Sequence, residues 1–310
     1  MIGRLTALAT TLGVASVVIY GAMFIVPGDP ASLLVGGSKP NPEALAAIRR
    51  QFHLDEPFWQ SYLRWLSGAV HGDFGTSLVY RSPVSDLIAG RALTTILLVA
   101  YAAVVILVAG VGLGVLAAWQ ERRVGAAITL ATTVMMGAPT FVMAVIFVAL
   151  FATGLGWFPV FGAGSGLVDR LWHLTLPAFA LAFSWIAYVA QVTRAAVREE
   201  MRSEHVDTAR GRGVPERSLL RRHVLRNASG PILTVSGLTV AGLFAGTAVA
   251  EQAFGINGIG ALLVQSAAKQ DLAIVQAVSL VVVAAFVVVN MLVDVSNTLL
   301  GQRAKGRAAA

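Results

Sequence analysis

A chain of 310 residues that is 56% hydrophobic and only 13% charged, with a mean hydropathy of +0.75, is too apolar for a soluble globule, in which about a quarter of residues are charged. It reads as an integral membrane protein, and its lack of cysteine excludes disulfides, thiolate nucleophiles and cysteine-ligated metals. The net charge of +7 signals topology and no nucleic-acid partner, because the cationic residues crowd onto alternate loops.

Six apolar windows, at residues 5–26, 93–118, 127–151, 174–192, 232–250 and 273–292, suit a hydrocarbon core of roughly 30 Å, which takes about 20 residues per helix. They are apolar all the way round, as lipid-embedded helices are. The first lacks a small-residue cleavage site and exceeds a signal peptide's apolar core, so it is expected to remain as a span. The expected fold class is an all-α integral membrane protein with six transmembrane helices, in a single domain over residues 1–310.

Between the first two windows, residues 27–91 form the one sizeable segment outside. Pro27-Gly28-Asp29-Pro30 and Gly72-Asp73-Phe74-Gly75-Thr76 read as turns, with Asp supplying local hydrogen bonds and Gly supplying positive φ. Asn41-Pro42-Glu43 reads as a helix start, Asn41 being the cap, and leads into a helical stretch at 44–52. A second helix is expected at 58–70, where Phe58, Trp59, Tyr62, Trp65 and Leu66 form an aromatic stripe. Packing or interface anchoring suits such rings; docking of an external protein is the secondary alternative.

Arg4, Arg122, Arg123, the nine arginines from Arg194 to Arg226, and Arg303, Lys305 and Arg307 make 15 of the 23 Lys+Arg, and all fall on one side of a six-span arrangement. By the positive-inside rule that side is the cytoplasm, so both termini face inward. The same cations are expected to touch anionic membrane lipid. Arginine over lysine beside abundant alanine and valine suggests a GC-rich bacterium.

Within the spans, charges are essentially absent at mid-depth, where one costs about 2.5–3.5 kcal/mol. Glu251, Asn290 and Asp294 lie near span ends, where interfacial placement or helix pairing is expected, with a gating role as the alternative. Gly110/Gly114 and Gly242/Gly246 are GxxxG pairs that let helices approach closely. Gly137-Ala138-Pro139 is expected to bend the third span, with packing or a place beside a substrate path as alternatives.

The segment 194–231 carries the most information. Val206-Asp207-Thr208-Ala209-Arg210-Gly211-Arg212-Gly213-Val214-Pro215-Glu216-Arg217 reads as a short helix, a glycine stop and a second helix. Ser203 is expected to cap the first helix through its hydroxyl, Gly213 to end it, and Pro215 to occupy the first turn of the next. This arrangement resembles the EAA loop of ABC-importer permeases of the dipeptide/oligopeptide branch. The resemblance extends over PGDPASLL, FHLDEPFWQSYLRWL, HGDFGTSL, PVSDLIAGRALTT, GAPTF, LGWFP, LTLPAFAL, EQAFGINGIG and VNMLVD, in order, from about Gly13 to about Asp294. The chain departs from the family pattern at Leu300-Gly301-Gln302-Arg303, at Lys269-Gln270-Asp271-Leu272 and at Leu225-Arg226.

That resemblance implies an ABC type I importer permease, half of a pathway for dipeptides or oligopeptides in the bacterial cell membrane, with a mostly helical extracytoplasmic segment between helices 1 and 2. It implies as partners a second homologous permease, two cytoplasmic ATPase subunits or one fused ATPase, and an extracytoplasmic substrate-binding protein. ATP and magnesium would sit in the ATPase partners, with no cofactor or metal in this chain. The ATPase-coupling residues implied are Glu204, Val206, Asp207, Thr208, Ala209, Arg210 and Gly213. Nickel or another small solute is the alternative cargo.

Catalytic patterns are not found. Gly36-Gly37-Ser38-Lys39-Pro40 lacks the leading glycine and the Ser/Thr of a phosphate loop, the five histidines have no zinc-helix spacing, and no Gly-x-Ser-x-Gly occurs. A secondary transporter would show intramembrane charges or matched broken helices in repeated halves, and a membrane enzyme would show converging polar residues; neither stands out.

Overall fold

The computed structural model describes residues 2–25, 42, 43, 46, 49, 56–77, 79–120 and 123–308, with side chains in the terminal helices described from Thr6 to Ala22 and up to Val295. The expected turn at Pro27-Gly28-Asp29-Pro30, the cap at Asn41 and most of the 44–52 stretch lie outside these residues. Among the described residues the regular structure is all-helical apart from one hairpin of two-residue strands. In chain order the elements are α1 (Ile2–Ile25), α2 (Phe58–Val70), β1 (Thr76–Ser77), β2 (Ser82–Pro83), α3 (Val84–Trp119), α4 (Arg123–Met136), α5 (Thr140–Phe147), α6 (Leu167–Met201), α7 (Glu204–Gly211), α8 (Glu216–Leu219), α9 (Leu225–Ala253), α10 (Ile259–Ala268) and α11 (Leu272–Ala308). Wide π-helical turns at Val148–Gly154 and Leu220–Val224 extend α5 and join α8 to α9.

Among the described residues four helices are long and apolar enough to cross a membrane, and a fifth crossing is made if the bent pair α4–α5 counts as one. The remaining window falls on α1, whose described apolar stretch Thr6–Ala22 is shorter. Helices overrun the apolar windows because flanking residues also bury. Thus α3 starts at Val84, not 93, with Val84 and Ile88 in a core and Asp86 in the first turn, where a carboxylate favours the helix dipole.

The chain divides into two compact units, Met1–Thr95 with Asn257–Val287, and Ile96–Ile256 with Val288–Ala310. In the first, the aromatic stripe of α2 packs on α1. Tyr20 meets the rings of Phe58, Tyr62 and Trp65, and the buried Ser16 hydroxyl lies 2.7 Å from Tyr62 Oη; Trp59 remains exposed. Gly72 and Gly75 take positive φ, and Asp73 accepts from Gly75 N–H, as the turn chemistry predicted. The turn feeds the β1–β2 hairpin, which pairs Thr76 with Pro83. Asp271, which sequence reasoning did not single out, is buried beside it. It accepts from Ser77 Oγ at 2.5 Å, at the start of α11.

The second unit is organised around α6. A Cβ on Gly110 would stand 2.9 Å from Val189 Cβ, and one on Gly114 2.5 Å from Ala190 O, so the first glycine pair does permit close approach. With Tyr101 Oη 3.3 Å from Thr175 Oγ1, these contacts run in the same order along both helices, making α3 and α6 parallel. Gly246 meets Leu181 and Gly242 meets Trp185, which makes α9 antiparallel to α6. Glu251 near the end of α9 is fully buried, which suits the helix pairing expected of it. Pro139 does more than bend the third window: α4 and α5 meet at 104°. Pro139 cannot donate a backbone hydrogen bond, and at the break Ala138 O accepts from Ser184 Oγ of α6 at 2.5 Å.

Candidate functional site

The segment singled out in the sequence folds as two short helices beyond the end of α6. After Met201 the chain turns at Arg202 and Ser203 into α7. The Ser203 hydroxyl does not cap α7; it donates backward to Glu200 O at 2.6 Å. The expectation of a side-chain cap is therefore corrected, because the last carbonyls of α6 need donors as much as the first N–H groups of α7 need acceptors. At its other end α7 finishes as expected. Gly213 has φ +79°, Gly213 N–H donates to Arg210 O at 3.0 Å and Val214 N–H to Ala209 O at 3.2 Å. These are the paired bonds of a Schellman stop, which needs a left-handed residue at that point.

Pro215 stands one place earlier than expected, as the extended residue capping α8, and its carbonyl accepts from Ser218 and Leu219 N–H. Beyond it the chain runs through the π turn into α9. The face bearing Leu219, Leu220 and Val224 is buried.

Val206 is the apolar anchor of α7. It is wholly buried among Ala118 of α3, Ala196 and Val197 of α6, Leu220 and Val224 of the π turn and Ala228 of α9. Its side chain thus holds α7 onto its own chain. Glu204, Asp207, Thr208 and Gly213 are exposed and Ala209 is half-buried. Thr208 Oγ1 donates to Glu204 O within the helix.

Two polar clamps fix the angle of α7. Arg210 donates to Asp207 through Nη1 and to Glu216 through Nε, each at 2.7 Å, so one guanidinium ties α7 to α8 across the glycine stop. Glu216, and after it Asp207, hold this guanidinium above its ordinary range. On the other side Glu200 at the end of α6 lies 2.9 Å from His205 Nε2 and accepts from Asn227 Nδ2 at 2.8 Å. Glu200, His205, Glu216 and Asn227 were missed by sequence reasoning; the opposite charges flanking the Gly213 stop were the available signal for Glu216. Of the implied residues, the structure brings Asp207 and Arg210 together, turns Val206 inward and leaves Glu204, Thr208 and Gly213 on the open face.

The result is a helix held by an apolar anchor to the ends of α3, α6 and α9, and by ion pairs to α6 and α8. An element fixed in this way can transmit a displacement between its exposed face and the spans.

Comparison with known proteins agrees with this architecture. Residues 110–306 match the family described as Binding-protein-dependent transport system inner membrane component, and residues 1–99 match Binding-prot-dependent transport system membrane comp, N-term. The chain is 34% identical over 299 residues to proteins named Glutathione transport system permease protein GsiC from Escherichia coli strain K12 and Shigella dysenteriae serotype 1, covering 95% of each chain. It is 34% identical over 296 residues to the protein of that name from Salmonella paratyphi A, covering 94% of each.

Proposed function

The chain belongs to the binding-protein-dependent transport system inner membrane components, the permease subunits of ABC importers, and from that premise we propose how it works. It forms half of a pathway for short peptides, of the class to which the glutathione named for its relatives belongs. A second homologous permease completes the pathway, an extracytoplasmic binding protein delivers cargo, and two ATPase subunits hold ATP and magnesium. The chain crosses the membrane six times in one domain with both termini cytoplasmic, residues 27–91 outside and residues 194–231 inside.

The observation that carries this reading is α7, anchored by Val206 to the ends of α3, α6 and α9 and tied by Arg210 to α8, with Glu204, Asp207 and Thr208 left on its open face. That face seats in a cleft of the ATPase. When ATP draws the ATPases together, α7 is carried along and the spans turn outward; hydrolysis resets them.

Reconstituted vesicles test it. The chain alone hydrolyses no ATP, while the assembly with loaded binding protein hydrolyses ATP and accumulates peptide. Uptake that persists without ATP and follows an imposed proton gradient would overturn the reading in favour of a secondary transporter. The cysteine-free chain also permits a topology check in intact cells: an impermeant thiol reagent should mark a cysteine at Ser38 and spare one at Ser218, and the reverse pattern would refute the orientation.

A further inference from the structure

The break between α4 and α5 lies against the middle of an apolar span. Ser184, which donates to Ala138 O at the break, is the central residue of the 35-residue α6 and lies inside its apolar window, so the break falls near mid-depth if that window spans the bilayer. On the hydrocarbon side of a span, backbone without an intrahelical partner costs several kcal/mol per group, so irregular backbone at this depth survives only against protein or water. Yet Gly137 and Pro139 are exposed, and Met136 is 45% exposed.

The same side of this unit carries a polar stripe. Ser184, Tyr188 and Gln191 lie at i, i+4 and i+7 on the face of α6 that meets α4. Gln191 Nε2 donates to Thr132 Oγ1 at 2.8 Å and to Thr129 O at 3.2 Å. Tyr188 is 38% exposed, and its hydroxyl has no hydrogen-bond partner among the described residues. The opposite face of α4 is different: Leu130 and Val134 are exposed and apolar, as lipid demands. No Asp, Glu, Lys or Arg occurs between residues 124 and 168.

We propose that the Gly137-Ala138-Pro139 break, with Ser184, Tyr188 and Gln191, lines the translocation path and offers neutral hydrogen-bonding groups to the amides of a passing peptide. This rests on the permease reading above. A wall of hydroxyl, carboxamide and backbone carbonyl groups satisfies peptide N–H and C=O groups of any sequence, while binding none of them through a fixed charge. Water in such a path also reaches the exposed backbone at Gly137 and Pro139, whose irregular turn is otherwise bonded within the protein.

The test uses the absence of cysteine. Single variants Thr133→Cys and Met136→Cys are compared with Leu130→Cys and Val134→Cys in the complete reconstituted importer, with trimethylammonium-ethyl methanethiosulfonate as the probe. The first pair should react at least about tenfold faster than the second, since only the first would meet water. Modification should block uptake, and peptide delivered by the binding protein should slow it. Tyr188→Phe should raise the apparent KM for peptide several-fold with assembly unchanged. Equal reactivity of the two pairs, or efficient cross-linking of Met136→Cys to the neighbouring permease in place of aqueous labelling, overturns the proposal. An unmodified importer that takes up no peptide with ATP refutes the permease reading instead, and the labelling contrast still decides the lining.

Discussion

Arg210 donates to Glu216 at 2.7 Å across the Gly213 stop, so the relative orientation of α7 and α8 depends on one side chain that also holds Asp207. The pair is exposed, and water and salt weaken it; its value is in aim more than in stability. Arg210→Ala should leave membrane levels unchanged and raise the ATP hydrolysed per peptide imported several-fold. High salt should reproduce part of that loss in the unmodified importer. Gly213→Val should act in the same direction, because a β-branched residue at φ +79° carries about 1 kcal/mol or more of strain. Gly213→Asn should be milder, since asparagine tolerates that conformation. A Gly213→Val importer with normal coupling would refute the role assigned to the stop.

Val206 makes the complementary case. Its side chain is wholly buried in the small core that joins α7 to α3, α6 and α9, and Val206→Ala removes two methyl groups' worth of burial and leaves a void. The expected loss is about 1.5–3 kcal/mol, read as a lower thermal midpoint and faster protease cutting between α6 and α9. Val206→Asp should abolish stable docking of α7, since it buries an unpaired charge. If Val206→Asp retains the unmodified protease resistance, α7 is not anchored through this residue.

These contrasts show what was legible beforehand. The long apolar windows, the helix–stop–helix order at 204–219 and the left-handed Gly213 follow from local composition, and local composition was visible. Val206 was implied among the coupling residues by resemblance alone, and an isolated apolar residue in a polar loop does not reveal which side buries it. Only the convergence of Ala118, Val197 and Val224 decides. Ser203 had two carbonyl and amide ends to serve, and spacing alone did not say which it would choose. Proline at 139 announced a bend, but neither its angle of 104° nor the Ser184 hydroxyl from a distant helix that donates to Ala138 O can be read from local spacing. Asp271 and Ser77 are 194 residues apart; no periodicity links them.

The Asp271–Ser77 contact predicts an asymmetry. Both side chains are buried, and the carboxylate also lies 3.4 Å from Val79 N and from Ile274 N. Asp271→Ala leaves a buried hydroxyl without its acceptor, at a cost of about 1–3 kcal/mol. Asp271→Asn keeps an acceptor oxygen and should cost less. Ser77→Ala strips a donor from a buried carboxylate, so its loss should exceed that of Asp271→Asn. Thermal unfolding of the purified importer ranks the three. Equal midpoints for Asp271→Ala and the unmodified protein would show that the contact carries no stability.

Two neighbouring glycines in α3 give a matched test of close helix approach. A Cβ at Gly114 would stand 2.5 Å from Ala190 O and 2.6 Å from Thr193 Cβ, both on α6, whereas one at Gly112 would meet nothing within 4 Å. The α6 backbone cannot yield to Gly114→Ala as a flexible side chain would, so the two helices must separate, with a loss of about 1–3 kcal/mol from overpacking. Gly112→Ala should be neutral or stabilising by up to about 1 kcal/mol, since alanine restricts the unfolded chain and favours helix. The same substitution two residues apart thus changes sign, and thermal midpoints of the purified importer measure it. Because α7 rides on the α3–α6 pair through Ala118 and Val197, Gly114→Ala should also loosen the protease-sensitive segment at 202–216, and Gly112→Ala should not. Equal behaviour of the two variants in both measurements would mean that α3 does not use this glycine face against α6.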